Sequence, residues 1–149
     1  MVDKSILRPV RFFEDLSDEM LESIAGIAEL RMYDSDVYLN KRKRSADYFY
    51  VILEGEVGLQ LETLSGKIVR LETIGAGGAI GFSSLVESKK HEYLSDAKTL
   101  MPTKAIRFRN DELQLLFYQN FQMGYLIMKK IAYIARRRLV YRTYPIPKV

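Results

Sequence analysis

The chain has 149 residues, carries a net charge of +4, and is 48% hydrophobic and 28% charged. It contains no cysteine and one histidine, which excludes disulfides, iron–sulfur clusters, cysteine-based zinc sites and thiol nucleophiles. A histidine-rich metal site is excluded as well, because His91 alone cannot supply several ligands. We therefore predict one globular domain over residues 1–149, with no metal and no catalytic site.

The sequence shows no membrane or export signal. No apolar run is long enough to span a bilayer, and the first ten residues lack the apolar core of a secretion signal. We expect a cytoplasmic protein without a membrane contact. Its mild basicity permits contact with nucleic acid without requiring it.

The first predicted element is a helix that begins after Ser17. Serine caps helix N-termini well, and Asp18 and Glu19 interact favourably with the helix dipole. Apolar residues at helical spacing predict one buried face, formed by Met20, Ile24, Ile27 and Ala28. Strands are predicted next near 37–39 and 48–53. Between them the basic run 41–44 is interpreted either as an exposed loop or as a phosphate-binding segment.

The clearest strand pattern lies between residues 57 and 71. Val57, Leu59 and Leu61 alternate with less apolar residues, the period of a half-buried strand. Ser65-Gly66 predicts a hairpin turn, because glycine tolerates the positive φ that such turns need. Residues 68–71 form the partner strand. With later strands near 97–100 and 103–108, the pattern predicts a mainly β fold built on an antiparallel barrel.

Two helices are predicted at the C-terminal end. Asn110 is expected to cap the first, and the second runs over 122–141 and ends before Pro145. The apolar residues of the long helix form two stripes: Met123, Ile127, Ile131, Ile134 and Tyr141 on one, and Tyr125, Met128, Ala132, Ala135 and Leu139 on the other. A surface helix needs one stripe, so the second predicts a homodimer through this helix. The alternative is that both stripes pack within one monomer.

The order of these elements resembles the cyclic-nucleotide-binding domain of the catabolite activator protein family. The likeness runs from about Phe12 to Tyr141 and rests on the segment YVILEGEV at 50–57, on Gly77 and Gly81, and on strand 103–108. It implies a jelly roll flanked by an N-terminal helix and a long C-terminal helix. It also implies a cyclic nucleotide, or another small molecule, as the ligand.

The resemblance implies where a ligand would bind. In the family a glycine-rich turn offers backbone N–H groups to the cyclic phosphate, and this turn matches Gly81, Phe82, Ser83 and Ser84. The family glutamate that follows the glycine is replaced here by Phe82. Counting back from strand 103–108 places Tyr93 and Leu94 where the family has an arginine and a small hydroxyl residue.

Other registers put His91 or Glu92 at the arginine position, and Lys90 could reach the phosphate from the loop, but no register supplies an arginine. Lost charged contacts predict weak cyclic AMP binding. Phe82 and Tyr93 either line a pocket for an unusual ligand or fill the vacated site. On the base side the matching residues are Tyr141 and Arg142, whereas Arg136, Arg137 and Arg138 are interpreted as cations that favour the helix end.

Three functions remain open from the sequence. The first is a dimeric sensor that signals to a separate output protein, the second a ligand-free scaffold, and the third a nucleic-acid-binding protein that uses its basic runs. The family's transcription factors carry a helix-turn-helix domain after the long helix, and about five residues follow Tyr144 here. We therefore do not expect direct DNA binding.

Overall fold

The structure, a computed structural model, describes residues 1–86 and 89–143, with side chains described as far as Val140. Its helical elements are α1 (Lys4–Leu7), a 3₁₀ turn (Arg11–Phe13), α2 (Asp18–Ile27), a second 3₁₀ turn (Phe82–Ser84), α3 (Asn110–Gln119) and α4 (Phe121–Thr143). Its strands are β1 (Glu29–Tyr33), β2 (Tyr38–Asn40), β3 (Tyr48–Glu54), β4 (Val57–Glu62), β5 (Ile68–Ile74), β6 (Ala79–Ile80), β7 (Asp96–Thr99) and β8 (Thr103–Arg109).

The eight strands form two four-stranded antiparallel sheets, in the orders β1-β8-β3-β6 and β2-β7-β4-β5. This confirms the predicted antiparallel jelly roll with helices at both ends. The turn between β4 and β5 contains Gly66 at φ +85°, as the hairpin prediction requires. The sequence did not reveal β1 or β6, because β1 is a mostly exposed edge strand and β6 has two residues.

The strands separate two apolar cores. Successive side chains of a strand point to opposite faces, so β3 and β8 contribute to both. Phe49, Val51, Ile106 and Phe108 face the helices, whereas Tyr50, Ile52 and Ala105 face the barrel interior. Gly58 and Gln60 on β4 are buried too, which departs from the half-buried strand predicted there. The side chain of Arg70 lies against Gly58 and helps to bury it.

The helix ends were predicted with mixed success. The Ser17 cap of α2 is confirmed, since its hydroxyl oxygen accepts a hydrogen bond from the Met20 amide at 3.2 Å. The Asn110 cap is wrong, because Arg109 occupies the N-cap and the Asn110 amide donates instead to the Asp47 carbonyl at 2.8 Å. This bond ties the start of α3 to the loop before β3. The proline-terminated end predicted for the long helix lies outside the described residues.

Helix α4 packs one face on the sheet and turns the other to the surface. Met123, Ile127 and Ile131 are buried in the core between the sheet and the helices, and Ile134 packs against this core. The second stripe is largely exposed, with Tyr125 at 64% and Leu139 at 65%. The helix thereby passes along the glycine-rich turn after β6 and forms one wall of the cavity described next.

Candidate functional site

The turn after β6 is held by one glycine. Gly81 has φ +87°, and a Cβ atom there would lie 2.6 Å from the Tyr48 carbonyl oxygen, so only glycine allows this approach to β3. Ser84 is buried, and both its amide and its hydroxyl donate to the Gly81 carbonyl, at 3.0 and 2.8 Å. The first backbone N–H groups of a helical turn have no hydrogen-bond partner within the turn. In the 3₁₀ turn Phe82–Ser84 these are the N–H groups of Phe82 and Ser83.

Tyr93 closes the edge of β3 next to this turn. Its hydroxyl donates to the Tyr48 carbonyl at 2.8 Å and accepts from the Tyr48 amide at 2.9 Å, so it acts as a strand partner where β6 has ended. The side chain is buried at 6% exposure, and its ring lies 3.5 Å from the point where a Cβ atom on Gly81 would stand. Burial raises the pKa of the Tyr93 phenol to about 12, against a lowering by the backbone hydrogen bond.

A cavity of about 410 Å³ separates the turn from α4. Phe82 and Leu94 line it, and Leu94 is 80% exposed. The barrel contributes Asn40, Leu59 and Leu71, and α4 contributes Ala135, Arg138 and Leu139. The structure therefore brings Gly81, Phe82, Ser83, Tyr93 and Leu94 of the predicted site to one cavity, whereas Ser84 is buried in the turn and does not line it.

Arg138 reaches from α4 onto the turn. Its guanidinium hydrogen-bonds the Ala79 carbonyl, its Nε lies 3.5 Å from Glu72 Oε1, and its Cζ lies 4.6 Å from the centre of the Phe82 ring. The side chain is 12% exposed. The interpretation of Arg138 as a cation serving only the helix end is therefore wrong, because its spacing of four residues from Ile134 points it toward the barrel.

Arg138 and Glu72 are the site residues that the sequence analysis missed. The available signal was the position of Arg138 on the same helical face as Ile127, Ile131 and Ile134. Its partners could not be found that way, since Ala79 lies 59 residues away in the chain.

The remaining predicted residues lie elsewhere or are not described. Tyr141 and Arg142 belong to α4, but their side chains lie outside the described residues. The basic run 41–44 is exposed and borders the site, because the Lys43 amide donates to the Tyr93 carbonyl at 3.0 Å and the Tyr93 amide donates to the Arg44 carbonyl at 3.1 Å. His91 is exposed.

Two further features bear on the chemistry of the site. Within residues 1–86 and 89–143, no group of three or more histidine or acidic side chains could hold a metal ion.

In the same part of the chain, no helix combines the length and the apolar character that crossing a bilayer requires. The groups that the structure places around the cavity are backbone amides, the Arg138 guanidinium, a few polar side chains and apolar walls.

Comparison with known proteins agrees with this architecture. Residues 30–120 match the family model described as cyclic nucleotide-binding domain. A crystal structure from Geobacter metallireducens GS-15, of a protein provisionally assigned as cyclic nucleotide-binding, is 28% identical with a TM-score of 0.81, covering 93% of this chain and 99% of that one. The sensor domain of the transcriptional regulator DNR from Pseudomonas aeruginosa has the same fold, with 20% identity, a TM-score of 0.73, and coverage of 98% and 94%.

A curated relative is similar over part of the chain. The cGMP-dependent protein kinase isozyme 1 of Drosophila melanogaster is 30% identical over 88 residues, which are 58% of this chain. The chain spans 12% of the length of that kinase. The regulatory subunit of a cAMP-independent protein kinase A from Trypanosoma brucei shares the fold at 13% identity and a TM-score of 0.74, over 89% of this chain and 45% of that one. With the family model covering more than half of its length, the chain belongs to the cyclic nucleotide-binding domain family.

Proposed function

We propose that this chain is a regulatory sensor domain whose phosphate site has lost its usual ionic contacts, so that its ligand is atypical and ordinary cyclic AMP binds weakly. The observation that carries the proposal is the bonding of the Tyr93 side chain. At the position where the resemblance implies an arginine, a buried phenol is bonded to both backbone groups of Tyr48. A side chain engaged in this way is a structural element and offers a phosphate no positive charge.

The expected energetic consequence is large. A charge-assisted hydrogen bond contributes about 1.5–3 kcal/mol, and Phe82 and Tyr93 together stand in place of two charged family residues. Since each 1.4 kcal/mol is about tenfold in affinity, micromolar binding would weaken to roughly millimolar. The proposal assigns no catalytic step to the chain.

A ligand-free scaffold is the second candidate, and one observation favours it. The Phe82 ring stacks on Phe49 with centroids 6.1 Å apart, and Tyr93 packs over Gly81, so the turn itself is solid. The cavity between this turn and α4 argues for the sensor instead, since about 410 Å³ is a typical size for a small-molecule site.

Cyclic AMP, cyclic GMP and cyclic di-GMP titrated into the purified chain by calorimetry test the proposal. We expect a dissociation constant for cyclic AMP in the roughly millimolar range and tighter binding for another member of the panel. Micromolar binding of cyclic AMP would show that the ionic contacts are replaced. Heat changes absent for all three nucleotides would leave the scaffold as the better description.

We further propose that α4 forms a homodimer through its exposed stripe and passes the signal to a separate output protein. Tyr125, Ala132, Ala135 and Leu139 lie on one side of the helix and are exposed, and the last two also line the cavity. Met128 of the same stripe packs against the core instead. An apolar stripe of this kind on a long helix is the usual seam of a helix pair. Residues 1–149 then form one domain, and 122–141 its dimerisation segment.

Placing a charge in the stripe tests the dimer. Ala132→Glu is expected to halve the molecular mass measured by light scattering, because a desolvated carboxylate in the helix seam has no partner. Gln122→Glu, an exposed position on the same helix outside the stripe, is the control and should leave the mass unchanged. A monomeric mass for the wild type, or an unchanged dimer in Ala132→Glu, would contradict the proposal.

A further inference from the structure

We infer that Arg138 of α4 is the anion-binding residue of this domain, and that its guanidinium exchanges Glu72 for a phosphate of the ligand in the cavity. The inference rests on the proposed sensor function and specifies how the ligand is held. The positive charge that pairs with the phosphate then comes from α4. In relatives with an intact phosphate site, an arginine near the glycine-rich turn provides this charge.

The charge distribution of the cavity supports this assignment. Among the described residues that line it, Arg138 is the one with a formal charge, and no carboxylate lines it. Glu72, the partner of Arg138 in an ion pair, is half-buried and lies outside the lining. A cavity whose single charged group is a cation favours an anionic ligand.

The ion pair between Arg138 and Glu72 is long enough to be exchanged. The Arg138 Nε lies 3.5 Å from Glu72 Oε1, whereas charge-assisted N–H···O bonds are usually about 2.7–2.9 Å long. A phosphate can bond the planar guanidinium through two parallel hydrogen bonds, which strengthens its hold on the side chain. The Phe82 ring, 4.6 Å from Cζ, keeps the guanidinium in place during such an exchange.

The remaining walls indicate the rest of the ligand. Leu59, Leu71 and Leu94 give the cavity an apolar surface, and Asn40 and Ser95 add polar groups. An inorganic anion is far smaller than about 410 Å³, so the cavity fits an anion that carries a ring system. A phosphate ester of a nucleoside has this combination of charge, polar edges and flat apolar faces.

Calorimetry on four variants tests the role of Arg138 with cyclic AMP, cyclic GMP and cyclic di-GMP as probes. For the probe that binds the wild type, Arg138→Gln should weaken binding about tenfold or more, and Arg138→Lys should weaken it less, because the charge remains but the planar fork is lost. Glu72→Gln should tighten binding several-fold, because it removes the competing carboxylate. Arg136→Gln, an exposed neighbour, should change it less than about twofold.

An NMR measurement on the wild type tests the role of Arg138 even if the variants do not fold. The Nε–H resonance of Arg138, assigned by its loss in Arg138→Lys, should shift when a nucleotide or sodium pyrophosphate is added at constant ionic strength. A shift with pyrophosphate but binding of no nucleotide would support the anion site and overturn nucleotide sensing.

The contrary results separate the two proposals. Nucleotide binding that is equally tight in wild type and Arg138→Gln, with the Arg138 resonance unmoved, would overturn the role of Arg138 and leave the sensor function standing. No binding of any nucleotide together with no response to pyrophosphate would overturn both.

Discussion

Gly81→Ala is expected to lower the free energy of unfolding by about 2–5 kcal/mol. Two separate penalties combine: a non-glycine residue at φ +87° costs about 1–2 kcal/mol, and a Cβ placed 2.6 Å from the Tyr48 carbonyl forces the turn away from β3 at about 1–3 kcal/mol more. Urea unfolding followed by circular dichroism measures the change. The loss is large beside the roughly 5–15 kcal/mol that stabilises a typical domain.

Gly77→Ala is a matched control for this substitution. Gly77 has φ +86°, almost the same as Gly81, but a Cβ there would have no heavy atom within 4 Å. It should therefore carry the conformational penalty alone, about 1–2 kcal/mol. Equal losses in the two variants would show that the close approach of the turn to β3 contributes nothing to stability.

Strands, turns and helix caps that depend on neighbouring residues could be predicted from the sequence. The position of β4, the glycine turn before β5 and the Ser17 cap each depend on residues close together in the sequence, so the sequence predicts them well. The alternating exposure predicted within β4 is wrong, because Gly58 and Gln60 are buried. The second stripe of α4 is also local, because helical spacing alone defines which residues share a face.

Features made by distant contacts were predicted poorly. Asn110 resembles a cap in isolation, yet the Asp47 carbonyl takes its amide and moves the helix start by one residue. Tyr93 could be located by register but its dual bond to Tyr48 could not, since the pair is 45 residues apart. The same applies to Arg138, whose contacts with Glu72 and Phe82 exist only once the barrel and α4 are packed.

Tyr93→Phe is expected to cost about 2–4 kcal/mol of unfolding free energy at neutral pH. The substitution removes two hydrogen bonds and leaves the Tyr48 amide and carbonyl at the buried edge of β3 without their partner. Tyr118→Phe is the matched control, because Tyr118 is 69% exposed, and its loss should stay within about 0.5 kcal/mol. Chemical denaturation of the three proteins measures both values.

The pH dependence of this difference checks its cause. Burial raises the pKa of the folded-state Tyr93 phenol to about 12, above the value of about 10 for an unfolded tyrosine. A group whose pKa is raised on folding contributes stability that is complete below the unfolded pKa and is lost as the pH rises through the folded one. The stability advantage of wild type over Tyr93→Phe should therefore be constant up to about pH 10 and shrink between about pH 10 and 12. An advantage that stays constant across this interval would mean that the phenol is solvated and that Tyr93 does not occupy the edge of β3.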